Sequence, residues 1–243
     1  MNGESVEKLA HMIARGGVVL FGGAGMSTES GIPDFRSKDG LYAQKFAYSP
    51  EVMLSHSFFM THTREFFDFY REKILICLSK SPNAAHILCA EWEKRGLLDA
   101  VVTQNIDGLH AAAGSKKVFE LHGSVLRNYC RKCGKSFSAQ FVLNASGVPR
   151  CDCGGVVKPD VVLYEEALSE EVMRGAISAV ARAKTLIIAG TSLTVYPAAA
   201  MPQYFGGENL VLINRDITPL DKKADLVFHE KVGDVFSACA RAL

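Results

Sequence analysis

A doubly wound, mostly parallel α/β sheet (Rossmann-like) carrying a small inserted domain is the fold this sequence predicts. Three observations predict it. Apolar, β-branched runs of four or five residues alternate with stretches of amphipathic helical period. A glycine-rich loop, Gly22-Gly23-Ala24-Gly25-Met26-Ser27, directly follows the first of these runs. Four cysteines, Cys130, Cys133, Cys151 and Cys153, lie within a stretch of Gly and Asn turns that breaks the alternation.

In chain order, residues 5–14 have helical spacing and residues 18–21 read as a buried strand. Residues 37–79 are helical and aromatic, including the run SFFMTHTREFFDFY. A helix over 83–94 is expected, with Ser81 and Pro82 in its cap and first-turn positions. Residues 100–103 are the next buried strand, and 124–159 hold the cysteines. A helix over 169–182 opens with Ser169 and carries Glu170 and Glu171 where the helix dipole favours acids. Strands at 185–189 and 210–213 complete the pattern. The expected division is 1–36, 80–123 and 160–243 for the nucleotide-binding sheet domain. Segment 37–79 would be a helical insert and 124–159 a zinc-binding insert, together forming the small domain.

Composition narrows the function classes. Lys plus Arg number 27 against 26 for Asp plus Glu, a net charge of +1, so the electrostatic footprint of a nucleic-acid or anionic-membrane binder is missing. No apolar run reaches the roughly 18 residues a bilayer span needs, and the charged N-terminal stretch is unlike a signal peptide. A cytoplasmic protein is expected. Seven cysteines, four of them clustered, do not suit a secreted disulfide framework. Cys77, Cys89 and Cys239 lie in apolar helical stretches and read as packing residues.

The pair Cys130/Cys133, then 17 residues, then Cys151 and Cys153, is close to the spacing of a zinc ribbon, with one residue rather than two inside the second pair. Four thiolates fill a tetrahedral shell, which makes one structural zinc per chain. Gly134 and Gly154 are expected to aim backbone N–H groups at the thiolates. The glycine loop after a strand suits a pyrophosphate at a helix N-terminus. Thr28 stands where the dehydrogenase fingerprint needs its third glycine. Gln104, Asn105 and Asp107 follow a strand end, where ligands of doubly wound sheets bind. His122 follows another apolar segment, while His56, His62, His86 and His110 read as structural. Thr191, Ser192 and Asn214 also follow strand ends and suit phosphate or ribose contacts.

The strings GAGMSTESGIPDFR, TQNIDGLH, LHG, the four-cysteine module, KPDVVLYEE, GTSLTVYPAA and LINRD occur in one order over residues 22–216. Together they resemble the sirtuin family of NAD-dependent protein deacylases, particularly bacterial NAD-dependent protein deacetylases. The resemblance implies that Ala24, Gly25 and Thr28 hold the NAD pyrophosphate and that Phe35 and Arg36 close over the nicotinamide ribose. It further implies that Gln104, Asn105, Ile106 and Asp107 bind ribose and the nicotinamide carboxamide, and that His122 is the general base. Thr191, Ser192, Asn214 and Val232 fall where the family contacts phosphate and adenosine. Asn105 and Asp107 join His122 as implied catalytic residues.

The implied reaction has the acetyl-lysine amide oxygen attack the ribose carbon as nicotinamide leaves, with alignment supplying much of the acceleration. Imidazole then takes a ribose proton, a step suited to neutral pH. The products implied are nicotinamide, free lysine and O-acetyl-ADP-ribose, and the partners are acetylated-lysine proteins or peptides. The substrate backbone would add as a strand beside the zinc module, with Val161 and Leu163 walling the acyl-lysine tunnel. Glu165 stands where the family has a glycine. The desuccinylating branch carries a Tyr and an Arg where Phe67 and Tyr70 stand here, so an uncharged acyl group is expected. Two rivals fit less well: an NAD-dependent oxidoreductase lacks its fingerprint and acidic partner, and a zinc-ribbon nucleic-acid-binding protein lacks its basic surface.

Overall fold

Each short apolar run is buried along nearly its whole length, and so becomes an interior strand. The computed structural model describes residues 2–34, 40, 41, 46 and 48–243. Its strands are β1 (Val18–Gly22), β2 (Leu98–Thr103), β3 (Val118–Glu120), β4 (Gly123–Cys130), β5 (Ser136–Ser138), β6 (Val157–Val161), β7 (Thr185–Ala189), β8 (Asn209–Ile213) and β9 (Leu226–Phe228). Among the described residues, six of these form a sheet in the order β3-β2-β1-β7-β8-β9, with every pairing parallel. The order runs outward from β1 in one direction and from β7 in the other. That is the doubly wound arrangement, with its switch point between β1 and β7.

Helices cover both faces, as a parallel sheet requires. The helices are α1 (Gly3–Ala14), α2 (Pro50–Met53), α3 (His56–Thr61), α4 (Thr63–Phe69), α5 (Ala84–Lys94), α6 (Leu109–Ala113), α7 (Ala139–Asn144), α8 (Glu170–Arg182) and α9 (Val232–Ala242). Leu20, Val101, Ile187 and Val211 pack with Leu9, Ile13, Trp92 and Phe236 of α1, α5 and α9. The alternate residues Val19, Phe21, Val102, Ile188 and Leu212 pack with Ala176, Ala179 and Val180 of α8. One-residue alternation along each strand therefore builds two cores from one sheet.

A second sheet, β5-β4-β6, is antiparallel. Its Val125, Cys130, Val157 and Val161 share an apolar cluster with Phe58, Phe59, Phe66, Phe67 and Tyr70 of the helical segment. Edge-to-face ring pairs such as Phe59–Phe66, 5.0 Å between centroids, fill that core. No helix among the described residues is long and apolar enough to cross a membrane.

Two local expectations are corrected. The helix after residue 80 is capped by Asn83, not by Ser81 and Pro82: Asn83 Oδ1 accepts from the Ala85 N–H at 3.0 Å, and the Asn83 N–H donates to His86 Nδ1 at 3.3 Å. A reciprocal capping box of this kind satisfies two backbone donors at once, which outweighs proline at the first turn. The glycine loop leads not into an α-helix but into two three-residue 3₁₀ turns, Ala24–Met26 and Thr28–Ser30. Gly31, at φ 78°, then ends the second turn.

Candidate active site at the switch point

The ends of β1, β2, β7 and β8 open onto one cavity of about 380 Å³. Its deepest turn is built by close backbone approach. The Gly25 N–H donates to the Gly190 carbonyl at 2.8 Å. A Cβ on Gly25 would stand 2.6 Å from Gly190 Cα, and Gly190 itself adopts φ 60°, so neither position accommodates a side chain. The loops after β1 and β7 are thereby locked across the switch point.

Polar side chains reach the cavity from each loop. Thr28 Oγ1 donates to the Gly25 carbonyl at 3.0 Å. Gln104 Nε2 donates to Thr191 Oγ1 at 3.0 Å, joining the β2 and β7 loops. Ser27 Oγ donates to Asp107 Oδ2 at 2.6 Å and accepts from Asn105 Nδ2 at 3.1 Å. The second carboxylate oxygen of Asp107 accepts from the Leu109 N–H at 2.9 Å. Ser27 is the organising residue of this network, and sequence reasoning missed it because a serine in a glycine loop carries no mark of a partner 80 residues away.

His122 has a defined tautomer. Its Nδ1 lies 2.9 Å from the Gln104 carbonyl oxygen, which only accepts, so Nδ1 carries the proton and Nε2 keeps its lone pair in the neutral ring. Burial pushes its pKa below the usual histidine value, against the opposing pull of that hydrogen bond. The imidazole is therefore neutral and basic at physiological pH. The Val162 N–H donates to the His122 carbonyl at 3.0 Å, tying this histidine to the strand that carries Val161 and Leu163.

Apart from the four cysteines, every expected catalytic, cofactor-binding and substrate-binding residue within the described part lines this one cavity. Ala24, Gly25 and Thr28 come from the first loop and Gln104, Asn105, Ile106 and Asp107 from the second. His122, Val161, Leu163, Thr191, Ser192, Asn214 and Val232 complete the set. Phe35 and Arg36 lie outside the described residues. Of the two positions expected to read the acyl group, Tyr70 lines the cavity. Phe67 instead packs in the aromatic core against Phe59 and Phe66. Arg215, which pairs with Asp34 at 3.5 Å, was not foreseen at the rim.

The turn at Glu165 keeps the left-handed backbone of a glycine, at φ 75°. A non-glycine residue is strained there. Its carboxylate offsets that strain by accepting from the Ser57 N–H at 2.9 Å and the Ser57 hydroxyl at 2.6 Å. Beside it, Glu166 accepts from His56 and Lys158, so the 161–166 loop is strapped to the start of α3.

His86 and His110 sit behind the loops with rings 4.7 Å apart. Both nitrogens of His110 and the Nε2 of His86 are buried without a partner. Burial lowers their pKa values to about 4 for His86 and about 3 for His110. The unfolded chain takes up protons as pH falls below about 6.5, whereas the folded chain does not until near 4 and 3. Stability is thus full above about 6.5 and erodes below it, by a few kcal/mol at pH 5 for the pair. The melting temperature is expected to fall steeply from pH 7 to 5, and less steeply in His110→Phe. A flat profile would show that the pair is protonated and paired in the native state.

The four cysteines form a separate centre. Their Sγ atoms all lie within 4.8 Å of one another, with Cys130–Cys153 at 3.5 Å, Cys133–Cys153 at 3.5 Å and Cys133–Cys151 at 3.7 Å. Zinc–sulfur bonds of about 2.3 Å at tetrahedral angles place sulfurs about 3.8 Å apart, so the donor set fits one zinc with no open position. The single residue between Cys151 and Cys153 is no obstacle. The expected role of Gly134 and Gly154 is corrected: their N–H groups donate to the carbonyls of Cys130 and Cys151, closing the two turns, not to sulfur. Lys132 supplies the N–H that reaches Cys130 Sγ, at 3.4 Å. Gly155 is the glycine the centre requires, since a Cβ there would stand 2.5 Å from Cys130 Sγ.

A Rossmann-type frame with a polar cavity at its switch point, a buried neutral histidine beside that cavity and a tetrathiol centre in an inserted sheet defines a nucleotide-binding enzyme class with a zinc-stapled second lobe. The family model described as "Sir2 family" matches residues 23–197. The chain is 54% identical over 237 residues to an NAD-dependent protein deacetylase of Clostridium acetobutylicum, covering 96% of each. Among solved structures, it is similar to a Sir2 variant with a deacetylated peptide and 3′-O-acetyl ADP ribose (39% identity, TM-score 0.89, 96% of each chain). It is also similar to a Sir2 with a peptide and NAD+ (40% identity, TM-score 0.85, 96% of each chain). The chain belongs to the Sir2 family.

Proposed function

We propose that this protein removes acetyl and other uncharged acyl groups from protein lysines, consuming NAD and giving nicotinamide, O-acetyl-ADP-ribose and free lysine. The observation that carries this reading is the pairing of His122, whose tautomer leaves Nε2 basic, with the switch-point network around Asp107 in one cavity. It is supported by the relative named as an NAD-dependent protein deacetylase and by the Sir2 structures holding peptide with NAD+ or acetyl ADP ribose. Incubation with NAD and an acetyl-lysine peptide tests it. Nicotinamide and acetylated ADP-ribose should appear in equal amounts by mass, whereas formation of NADH would identify an oxidoreductase instead.

In this reading each loop has one task. Ala24, Gly25 and Thr28 hold the pyrophosphate; the role expected of Phe35 and Arg36 at the nicotinamide ribose falls on residues outside the described part. Thr191, Ser192, Asn214 and Val232 hold the adenosine side. Gln104, Asn105 and Ile106 position the ribose. His122 Nε2 takes the proton from a ribose hydroxyl, its ring held by the Gln104 carbonyl. Val161 and Leu163 wall the acyl-lysine channel, and acetylated-lysine proteins are the partners. Zinc held by Cys130, Cys133, Cys151 and Cys153 supplies structure only. Residues 1–36, 80–123 and 160–243 make up the nucleotide-binding domain; 37–79 and 124–159 make up the small one. The apolar cluster shared by 37–79 and 124–159 supports grouping those two segments, while Val161 and Leu163, from the other side of the 159/160 boundary, pack into the same cluster. A reducing, cytoplasmic setting suits seven free cysteines.

Asp107 is held ready for the nicotinamide carboxamide by Ser27 and the Leu109 N–H. Asp107→Asn is expected to slow the first step and weaken nicotinamide inhibition more than it weakens NAD binding. Inhibition curves at several NAD concentrations read this, and unchanged nicotinamide inhibition would remove Asp107 from the pocket. Acyl preference follows from the walls. Arg64 and Arg71 do not line the cavity, and Lys73, which does, pairs with Glu72 at 2.9 Å. Acetyl-lysine should therefore exceed succinyl-lysine in kcat/KM by about 10² or more, since an unpaired carboxylate in an apolar channel costs several kcal/mol. Equal rates would mean Lys73 leaves Glu72 to pair with the substrate.

A further inference from the structure

Tyr70 is fully buried, and its hydroxyl has no hydrogen-bond partner. It is the only tyrosine hydroxyl in that condition among the described residues. A buried phenol normally finds a partner, so an orphan at the wall of a ligand cavity points to a group that the ligand brings. Tyr70 lines the same cavity as His122, and it belongs to the same apolar cluster as Leu54, Ile74, Val161 and Leu163, with Ile106 packed against it. Its ring stacks on Phe66 with centroids 5.5 Å apart and an interplanar angle of 14°, which fixes the plane in which the hydroxyl swings. Burial raises its pKa well above the usual phenol value, so it stays a neutral donor and acceptor. Among the described residues, the sulfur and the ammonium that line this end of the cavity do not compete for it. Cys77 is a buried thiol whose pKa is pushed up to about 12, and the Lys73 ammonium is engaged by Glu72.

We propose that Tyr70 makes this enzyme selective for short, neutral acyl-lysines that carry a hydrogen-bonding oxygen on the chain, hydroxyacyl groups, over the plain alkyl chains of equal length. The proposal rests on the deacylase reading and deepens it by naming a substrate class. The reaction is the same: with one water consumed, the lysine–acyl C–N bond breaks, nicotinamide leaves the ribose, and the acyl group ends as an ester on ADP-ribose. No further oxidant or reductant is needed. A plain alkyl chain would cover the phenol and leave it unpaired, whereas a chain hydroxyl would satisfy both groups, and sites built this way discriminate against the analogue lacking the group. Because the phenol stands on one wall, it should also distinguish mirror-image hydroxyls.

The test uses matched lysine peptides bearing butyryl, (R)-3-hydroxybutyryl or (S)-3-hydroxybutyryl groups, with kcat/KM measured for the native enzyme and for Tyr70→Phe. The native enzyme should favour one hydroxybutyryl enantiomer over butyryl by about tenfold, and over the other enantiomer by a similar factor. In Tyr70→Phe both ratios should collapse towards one or invert. Ratios within one protein cancel any general loss of activity or folding. Unchanged ratios in the variant, or no preference in the native enzyme while butyryl is turned over, would overturn the proposal and leave the deacylase reading standing. Failure of the native enzyme to release any acyl group in the presence of NAD would overturn both. Ratios preserved while nicotinamide inhibition shifts in the variant would assign the phenol to nicotinamide and also overturn the proposal.

Discussion

His122→Ala is expected to lower deacetylation by roughly 10² to 10⁴, the range for loss of a positioned general base. NAD binding should persist, because the loop contacts from Gly25 to Thr28 and from Gln104 to Thr191 do not pass through the imidazole. The sharper expectation concerns pH. Burial lowers the pKa of the ring below the ordinary histidine value, so the acidic limb of kcat/KM should lie below that value and vanish in the variant. His122→Asn keeps a donor for the Gln104 carbonyl but offers no base, and should be as slow as alanine. Near-normal turnover in either variant would remove His122 from the proton transfer.

Removing the metal should be the more damaging change to the fold. The sulfurs come from two hairpin turns, and Cys130 and Cys151 are part of the small lobe's buried core. A structural zinc contributes folding free energy directly. The consequence reaches the site through a short path: β4 pairs with β6, and the residue after β6 donates to the His122 carbonyl. Strong chelation is expected to lower melting temperature and activity together, from a starting content of about one zinc per chain. A metal-free protein that is both stable and active would refute the structural role. Cys153→Ser with unchanged zinc content and stability would show that a different group completes the shell.

Much of this was legible in the sequence because it is local. A buried parallel strand needs only a run of apolar, β-branched residues, and all four expected strands formed within two residues of their expected ends. The cysteine spacing determined the zinc centre for the same reason: two tight turns suffice to gather four sulfurs. Strand ends determined which polar residues would meet, since the doubly wound order brings those ends to one crevice.

What the tertiary structure alone decided are contacts between residues far apart in the chain. Ser27 gained its role from Asp107, 80 positions on, and the left-handed backbone at Glu165 is offset by two hydrogen bonds that Ser57, 108 positions away, donates to its carboxylate. Phe67 and Tyr70 look alike in sequence, yet packing sent one into the aromatic core and the other to the cavity wall. Gly155 is required only because the Cys130 sulfur stands against it. Burial likewise set the protonation of His86, His110 and His122, which no spacing rule encodes. Periodicity and turn chemistry act over a few residues, so a sequence states them openly. Desolvation and side-chain pairing depend on what the folded chain brings alongside, and those were settled only when the two lobes closed around one cavity.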